Sequence, residues 1–432
     1  MMGFPLRKAS LTLFAGAIIF SLSVPCFAGE YSLYDLWGIA LERSERIRIA
    51  AEELDIAEAA KDKAASTLMP RVSAFGSYTR YNEDKRSSSG SVIQPESSEA
   101  WGLRLDQSFS LSGREFTALG ISRQAGRKAG LDFQAAKETY IIGVTAAYFE
   151  VLKAKAALEL ATTNMERLGR HRDAAKKRFE VGEVTKTVLL RAEAELSGAK
   201  TEEIRARNRL ELSRAVLARL AGVSGDFSLK EIDVAEEPLG LDAFKEKALA
   251  ERPELKSLAL QKAIAERQVG YARGSYWPSL SIEALYQRRE EEPSSAFLNK
   301  ESVYAGARLD FPIFEGGLRM AEVGEAASRR TQARLAFEEA QKTVLVEVEE
   351  AYLELKARKD ALESIEDRVS FAKENYTAVS KQFEFGLADT LDAMDANTLL
   401  AGAEKEFAEA RYDYQFSVLR LRRAVGILLK QE

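Results

Sequence analysis

The chain has 432 residues, with 62 Lys and Arg against 67 Asp and Glu, one histidine and one cysteine. The resulting net charge of −5 argues against nucleic acid as a partner, because nucleic-acid binding depends on clustered basic residues. Scarce histidine and cysteine, and the absence of a phosphate-binding glycine loop, argue against an enzyme, so we expect no catalytic residue, cofactor or metal. A composition rich in Ala, Glu, Lys, Leu and Arg, with nine prolines, predicts long helices.

The first 28 residues have the pattern of a secretory signal peptide. A basic start precedes an apolar run over residues 11–24, and small residues at Cys26 and Ala28 predict cleavage after Ala28. The alternative, a membrane anchor, requires a longer apolar run. We expect no lipid on Cys26, because Pro25 precedes it where a lipid-accepting cysteine normally follows a small residue.

The rest of the chain contains one unit twice. Met69-Pro70-Arg71-Val72 resembles Trp277-Pro278-Ser279-Leu280, and Ala147-Tyr148 recurs as Ala351-Tyr352. Such internal similarity predicts two copies of one structural unit. We place the first repeat at residues 29–222, a polar linker at 223–240 and the second repeat at 241–432.

Each repeat is expected to form a helix, a β-hairpin, a long helix, a turn at the tip and a further helix. In the first repeat, helical periodicity covers residues 32–68 and ends before Pro70. The hairpins are predicted at 71–109, around a serine-rich loop at 82–99, and at 279–313. In the first strand, alternation places four residues on one face, namely Val72, Ala74, Gly76 and Tyr78. Such strands could cross a bilayer when tilted, although a soluble hairpin on a helical core has the same pattern.

The long helices are predicted at about 114–178 and 317–382. In the second, apolar residues recur every seven positions at Val348, Leu355, Leu362, Val369, Tyr376 and Phe383. Sustained heptads are typical of helices packed side by side. At 1.5 Å per residue, the first helix would extend about 98 Å, which exceeds the diameter of a globular domain of this size. One hairpin pair also cannot close a barrel, so both features predict an assembly of several copies.

The predicted tips at 179–187 and 383–391 share an aromatic residue, two further residues and a glycine. Gly182 and Gly386 fit the left-handed conformation that ends a helix. The second tip is followed by Asp392 and Asp395, whose spacing places both carboxylates on one helix face. Two interpretations of this pair remain open: a functional acidic site, or acidic residues that suit the positive end of a helix dipole.

The order of these elements, together with the two tips, resembles that of the TolC-like outer-membrane efflux proteins. The resemblance covers the whole chain after residue 28. It implies a mostly α fold with a small β part, in which three copies form a 12-stranded outer-membrane β-barrel continued by a periplasmic α-helical barrel. It also implies a passive exit duct that works with a periplasmic adaptor protein and an inner-membrane pump of the RND, ABC or MFS type. The alternative is a periplasmic coiled-coil scaffold without a pore.

The resemblance also implies roles for the tip residues. Asp392 and Asp395 match the acidic pair at the periplasmic entrance, and an adaptor would dock at Val181, Gly182, Gly386 and Leu387. In the family, closure uses polar links from a tyrosine and an arginine to a threonine and an aspartate. The matching positions here are Phe383, Ala388, Thr187 and Val188. Because only the threonine is kept, we expect an apolar latch between Phe383 and Val188.

Two further expectations concern single side chains. His171 lies between Arg170 and Arg172, so we expect a solvated residue rather than a ligand or a base. Aromatic residues at the strand ends could form an interfacial belt or pack in a core, and these are Tyr81, Trp101, Trp277 and Tyr286.

Overall fold

A computed structural model describes residues 29–295 and 298–430, so the predicted signal peptide lies outside the described residues. The fold is mostly helical with a small sheet part. The helices are α1 Leu33–Arg43, α2 Glu45–Ser66, α3 Arg114–Glu180, α4 Lys186–Ala221, α5 Leu241–Glu251, α6 Pro253–Arg273, α7 Leu318–Glu384 and α8 Thr390–Val425. The strands are β1 Gly29–Tyr31, β2 Arg71–Arg80, β3 Lys85–Arg86, β4 Val92–Gln94, β5 Ser97–Ser110, β6 Phe227–Leu229, β7 Ser279–Glu292 and β8 Glu301–Asp310. Within the described part of the chain, no helix is both long and apolar enough to cross a membrane.

The first helical segment is divided, which corrects the prediction of one helix over residues 32–68. Ser44 has extended backbone angles, with φ −67° and ψ 127°, and its hydroxyl accepts a hydrogen bond from the amide of Arg46. Ser44 therefore ends α1 and caps α2. Arg252 divides α5 from α6 without a side-chain cap, and Pro253 occupies the first helical position.

Two predicted connections contain strands. Within the predicted linker 223–240, β6 pairs in parallel with β1, so the linker is fastened to the start of the described chain. Within the predicted loop 82–99, β3 and β4 form a short antiparallel pair, and β5 already begins at Ser97.

The main sheet has four antiparallel strands in the order β2-β5-β7-β8. Cross-strand partners point to the same face, and the register aligns Ala74, Leu103 and Tyr286 with Val303. The predicted face of β2 is thereby confirmed and extends into a mainly apolar surface. The opposite face is mainly polar and carries Ser73, Arg104, Glu283, Tyr304 and Arg308.

The helices continue the sheet in the same lateral order. Near the sheet, α2 packs on α3, α3 on α6 and α6 on α7, which matches the strand order because each of these helices adjoins one strand. Toward the tips, the order becomes α4, α3, α8 and α7. The chain therefore forms a wall, with one edge made by β2, α2 and α4 and the other by β8 and α7.

The main hydrophobic core lies between the sheet and the tips, where buried residues of α1, α4, α5, α7 and α8 form one cluster with the middle of α3. Tyr148 and Phe149 of α3 are almost completely buried there. Trp37 of α1 donates from Nε1 to Oγ1 of Thr145 over 2.9 Å, which satisfies the indole in the core. Smaller clusters continue along the α3–α4 and α7–α8 seams, and the second of these includes Val369 and Tyr376 of the predicted heptads.

Candidate functional site: the two helical tips

Both tips are closed by glycine in the left-handed conformation. Gly182 has φ +82° and Gly386 has φ +74°. After them, the amide of Glu183 donates to the carbonyl of Arg178 over 2.8 Å, and the amide of Leu387 donates to that of Gln382 over 2.8 Å. These are the bonds with which a helix end satisfies its last carbonyl groups. The backbone angle alone therefore explains both glycines.

Apolar side chains project from the tips into solvent. Leu387 is 80% exposed, and Val181 and Phe385 are exposed to a similar degree. A β-carbon added at Gly182 or Gly386 would meet no atom within 4 Å, so the space beside each glycine is open. Phe385 is part of this surface, although the sequence did not single it out. Its neighbouring Gly386 at the helix end was the available signal.

Asp392 takes part in capping α8. Asp389 is the N-cap residue, and its carboxylate accepts from the amide of Asp392 over 2.8 Å. In return, the carboxylate of Asp392 accepts from the amide of Asp389 over 3.1 Å. This reciprocal capping box supports the helix-end interpretation for Asp392. Because the side chain remains exposed, capping leaves its negative charge at the tip.

Asp395 is one helical turn further along and is also exposed. Its nearest cation is Arg191 of α4, with 4.0 Å between Nη2 and Oδ1. An exposed ion pair at this distance contributes little to stability. Both aspartates therefore lie on the surface of the same helix end, as their spacing predicted.

Phe383 is enclosed within its own chain. Its ring is 5% exposed and lies 5.8 Å from the ring of His171 between centroids. The Arg178 guanidinium lies 4.1 Å from the Phe383 ring centroid, and Nη2 of Arg178 donates to the Phe383 carbonyl over 2.6 Å. Arg178 thus joins the end of α3 to the end of α7 through a cation–π contact and a hydrogen bond.

The other predicted closing residues have surroundings that differ from those of Phe383. Thr187 is exposed and Val188 is half-buried, both in the first turn of α4, and Ala388 is half-buried before α8. The contact between Phe383 and Val188 remains a prediction. In an assembly it would require the Phe383 ring to turn out of the pocket formed by His171 and Arg178.

The expectation that His171 is solvated is wrong. Its side chain is 7% exposed and contacts the edge of Tyr376, with 6.4 Å between ring centroids. Burial lowers the pKa of His171, and the positive charges of Arg170 and Arg167 lower it further. The imidazole is therefore held in its neutral form at neutral pH.

A polar seam accompanies the apolar seams of α3. Asn164, His171 and Arg178 recur every seven residues and face the second repeat. Nδ2 of Asn397 in α8 donates to Oδ1 of Asn164 over 2.8 Å. Sequence reasoning sought only apolar heptads and missed this stripe, although its spacing was visible. Among the described residues, no group of His, Cys, Asp and Glu is arranged to hold a metal ion.

The tips and the wall have counterparts in known proteins. The sequence model of the family described as outer membrane efflux protein matches residues 36–223 and 245–427. The chain is 26% identical to outer membrane protein TolC of Vibrio cholerae, over 98% of this chain and 97% of the relative. It is 24% identical to alkaline protease secretion protein AprF of Pseudomonas aeruginosa, over 98% and 89%.

Solved structures share the fold. The outer membrane channel CmeC of Campylobacter jejuni aligns with a TM-score of 0.82 and 18% identity, covering 99% of this chain and 96% of that one. The outer membrane protein VceC of Vibrio cholerae aligns with a TM-score of 0.80 and 19% identity, covering 91% and 96%. The family match spans both repeats, and the structural match includes the sheet and the long helices. This chain is therefore a member of the outer membrane efflux protein family, located in the outer membrane with a large periplasmic part.

Proposed function

We propose that three copies of this chain form a passive exit duct across the outer membrane and periplasm. The observation that carries this proposal is the wall with two open edges. In the described residues, β2 and β8 each pair with one neighbour only, and their free edges are continued by the free sides of α2 and α7. Unpaired strand edges cannot remain in lipid, because each backbone group there needs a partner.

The strand directions permit closure. Adjacent strands are antiparallel throughout the sheet, so β2 and β8 run in opposite directions. A β8 strand can therefore pair with β2 of the next copy in the same antiparallel manner. Three such sheets give a 12-stranded barrel, with the face of Leu103 and Val303 toward lipid and the face of Arg104 and Glu283 toward a wet lumen. A periplasmic scaffold without a pore leaves that apolar face unexplained.

Threefold symmetry would bring three copies of each tip to the periplasmic entrance. Asp392 and Asp395 would then contribute six carboxylates to one ring, which favours cations and binds polyvalent cations. The exposed tip residues Val181, Phe385 and Leu387 would form a surface for a periplasmic adaptor protein. The energy for export would come from an inner-membrane pump, because we assign no catalytic residue or cofactor to this chain.

Cysteine cross-linking tests barrel closure. Ser73 of β2 lies on the polar face, as do alternate residues of β8. Ser73→Cys is combined in turn with Ser302→Cys, Tyr304→Cys, Gly306→Cys or Arg308→Cys, and the protein is oxidised in outer membranes. We expect at least one pair to yield covalent trimers in denaturing gels, while Ser73→Cys alone yields none. Monomers from all four pairs would contradict closure between β8 and β2.

Planar-bilayer recordings test the gate. Combined Asp392→Ala and Asp395→Ala should reduce cation preference and block by trivalent cations, because the ring would lose its negative charge. The matched control is Asp173→Ala, which removes an exposed carboxylate of α3 outside the tip. Phe383→Ala should raise resting conductance, because the end of α7 would lose the cation–π contact between the Phe383 ring and Arg178 and keep only the hydrogen bond to its carbonyl. Unchanged ion selectivity in the double variant would mean that these aspartates do not line the entrance.

A further inference from the structure

The one histidine of the sequence lies between the two repeats, close to the second tip. His171 belongs to α3, and the two rings against it, Tyr376 and Phe383, belong to α7. The ring centroid of His171 is 6.4 Å from that of Tyr376 and 5.8 Å from that of Phe383. Both side chains come from the last turns of α7, so the imidazole is part of the contact that holds the end of α7 on α3. We call this arrangement the closed contact.

The charges that act on His171 come from arginines of its own helix. Arg170 and Arg167 lower its pKa by their positive charge, and Arg178 lies two turns further along α3. From α8, the carboxylate of Glu404 is already paired with Arg167 over 2.8 Å. A proton on His171 would therefore add a positive charge where water is largely excluded and the neighbouring charges repel it.

The ring of Phe383 serves both His171 and Arg178. The guanidinium of Arg178 is 4.1 Å from the ring centroid, within the range of a cation–π contact. A neutral imidazole can share the ring with this guanidinium, whereas an imidazolium would place a second cation beside the first. Water could hydrate the imidazolium only if the rings of α7 moved away. Protonation of His171 and separation of the end of α7 from α3 therefore favour each other.

We propose that His171 is the positioning residue through which acid releases the second tip, a role that rests on the proposed function of this tip as a gate. At neutral pH the uncharged imidazole allows Phe383 to pack on α3, which holds the end of α7 in the closed contact. When the periplasm becomes acidic, His171 takes up a proton, the end of α7 leaves α3, and the resting duct opens.

The direction of the pH effect follows from proton binding. In the closed contact, burial and the arginine charges hold the pKa of His171 below 6.5, whereas in the released state the imidazole meets water and its pKa is close to 6.5. Well above pH 6.5 neither state is protonated, so pH has no effect. Below it the released state binds the proton first, and the equilibrium shifts toward release. At pH 5, about 1.5 units lower, the shift is at most about thirtyfold.

Nuclear magnetic resonance tests the coupling on its own, because the protein has one imidazole to observe. The full-length protein is labelled with ¹⁵N-histidine, purified through a histidine-free tag and titrated with acid. We expect a pKa of His171 below 6.5 in wild type and a higher pKa in Phe383→Ala, which lets water reach the imidazole. The matched control is Phe179→Ala, because Phe179 is the equivalent aromatic residue of the first tip and is 37% exposed. It should leave the pKa of His171 unchanged. Equal pKa values in wild type and Phe383→Ala would overturn the proposal.

Planar-bilayer recordings at pH 7.5 and pH 5 test the opening. They use protein with Asp392→Ala and Asp395→Ala, so that the acidic ring does not contribute to the pH response. The resting open probability should rise several-fold and at most about thirtyfold at pH 5. His171→Phe, which keeps an uncharged ring, should remove most of this rise, and His171→Gln is the second variant if His171→Phe fails to fold by circular dichroism.

The two experiments separate the failure of the duct from the failure of the acid response. A rise of equal size with and without His171 would overturn the proposal while leaving the duct intact. Protein that forms no pores at either pH would overturn the duct and with it the acid opening, whereas the titration would still decide whether His171 and Phe383 are coupled.

Discussion

The buried carboxyl group of Glu138 predicts that this protein loses stability as the pH rises from about 4.5 to about 7. Glu138 lies in α3, is 2% exposed, and has no hydrogen-bond partner at Oε2. Burial raises its pKa from the ordinary value of 4.5 to about 7, and the neighbouring Arg423 and Arg252 offset part of that effect. The group is therefore protonated in the folded chain at pH values where it is ionised in the unfolded chain.

The direction of the pH effect follows from proton binding. Below pH 4.5 the carboxyl is protonated in both states, so it does not affect the pH dependence of stability. Between 4.5 and about 7 the folded state holds the extra proton, and stability falls as the pH rises. Above pH 7 the loss of stability is complete. At 1.36 kcal/mol for each unit of the pKa difference, it amounts to at most about 3 kcal/mol per chain.

Glu138→Gln should remove this cost at high pH. The free energy of unfolding of the variant minus that of wild type should increase by up to about 3 kcal/mol between pH 4.5 and pH 8. With an unfolding entropy near 2.1 cal/mol/K per residue, that corresponds to a rise of about 4 °C in the difference between their melting temperatures. The assay is thermal unfolding of purified protein by circular dichroism at both pH values and one scan rate.

The control is Glu246→Gln, which neutralises an exposed carboxylate on helix α5. It should show the same pH dependence as wild type. If the melting-temperature difference between Glu138→Gln and wild type is the same at pH 4.5 and pH 8, Glu138 does not hold an extra proton in the folded state, and the reasoning from burial is refuted.

Three further predictions concern the helices near the tips. Val369→Asp should place a charge in the α7–α8 seam and destabilise the chain by several kcal/mol, measured as loss of heat-resistant assembly in gels; an unchanged assembly would contradict the seam. Gly386→Trp should abolish export while leaving outer-membrane insertion intact. Gly386→Ala strains the same backbone conformation without adding a bulky side chain, so it should export more than Gly386→Trp; equal export by the two variants would mean that an adaptor does not dock at this glycine. The lowered pKa of His171 means that stability of the tip falls as the pH drops below about 6.5. His171→Phe should therefore reduce the loss of protection at pH 5 near Phe383, measured by amide hydrogen exchange relative to the intrinsic exchange rate at each pH; an equal loss of protection in the variant would assign the effect to other groups.

The sequence alone determined the features that depend on local periodicity. Alternation along β2 predicted one mainly apolar face, and the register confirms it because cross-strand partners extend the same face across the sheet. Heptads predicted the buried positions of α7, including Val348 and Leu355. Gly182 and Gly386 marked the helix ends, because few other residues adopt a positive φ. Each of these signals depends on neighbours within a few residues.

Features that depend on contacts between distant segments required the tertiary structure. The lateral order β2-β5-β7-β8, with the two repeats joined by β5 and β7, is not encoded in the pattern of either repeat. The burial of His171 is a further case. Its sequence neighbours are arginines, but its position on α3 faces α7, where Tyr376 and Phe383 exclude water.

The two tips differ in a way that their shared sequence motif did not predict. Phe179 and Phe383 occupy the same place in the same short motif, yet Phe179 is 37% exposed and Phe383 is 5% exposed. Phe383 is enclosed by two side chains of α3, since His171 lies against its ring and Arg178 reaches its ring and carbonyl. One motif therefore predicted two similar turns. Only the packing of α3 against the end of α7 decided which aromatic ring is enclosed, because burial depends on what lies across the helix interface.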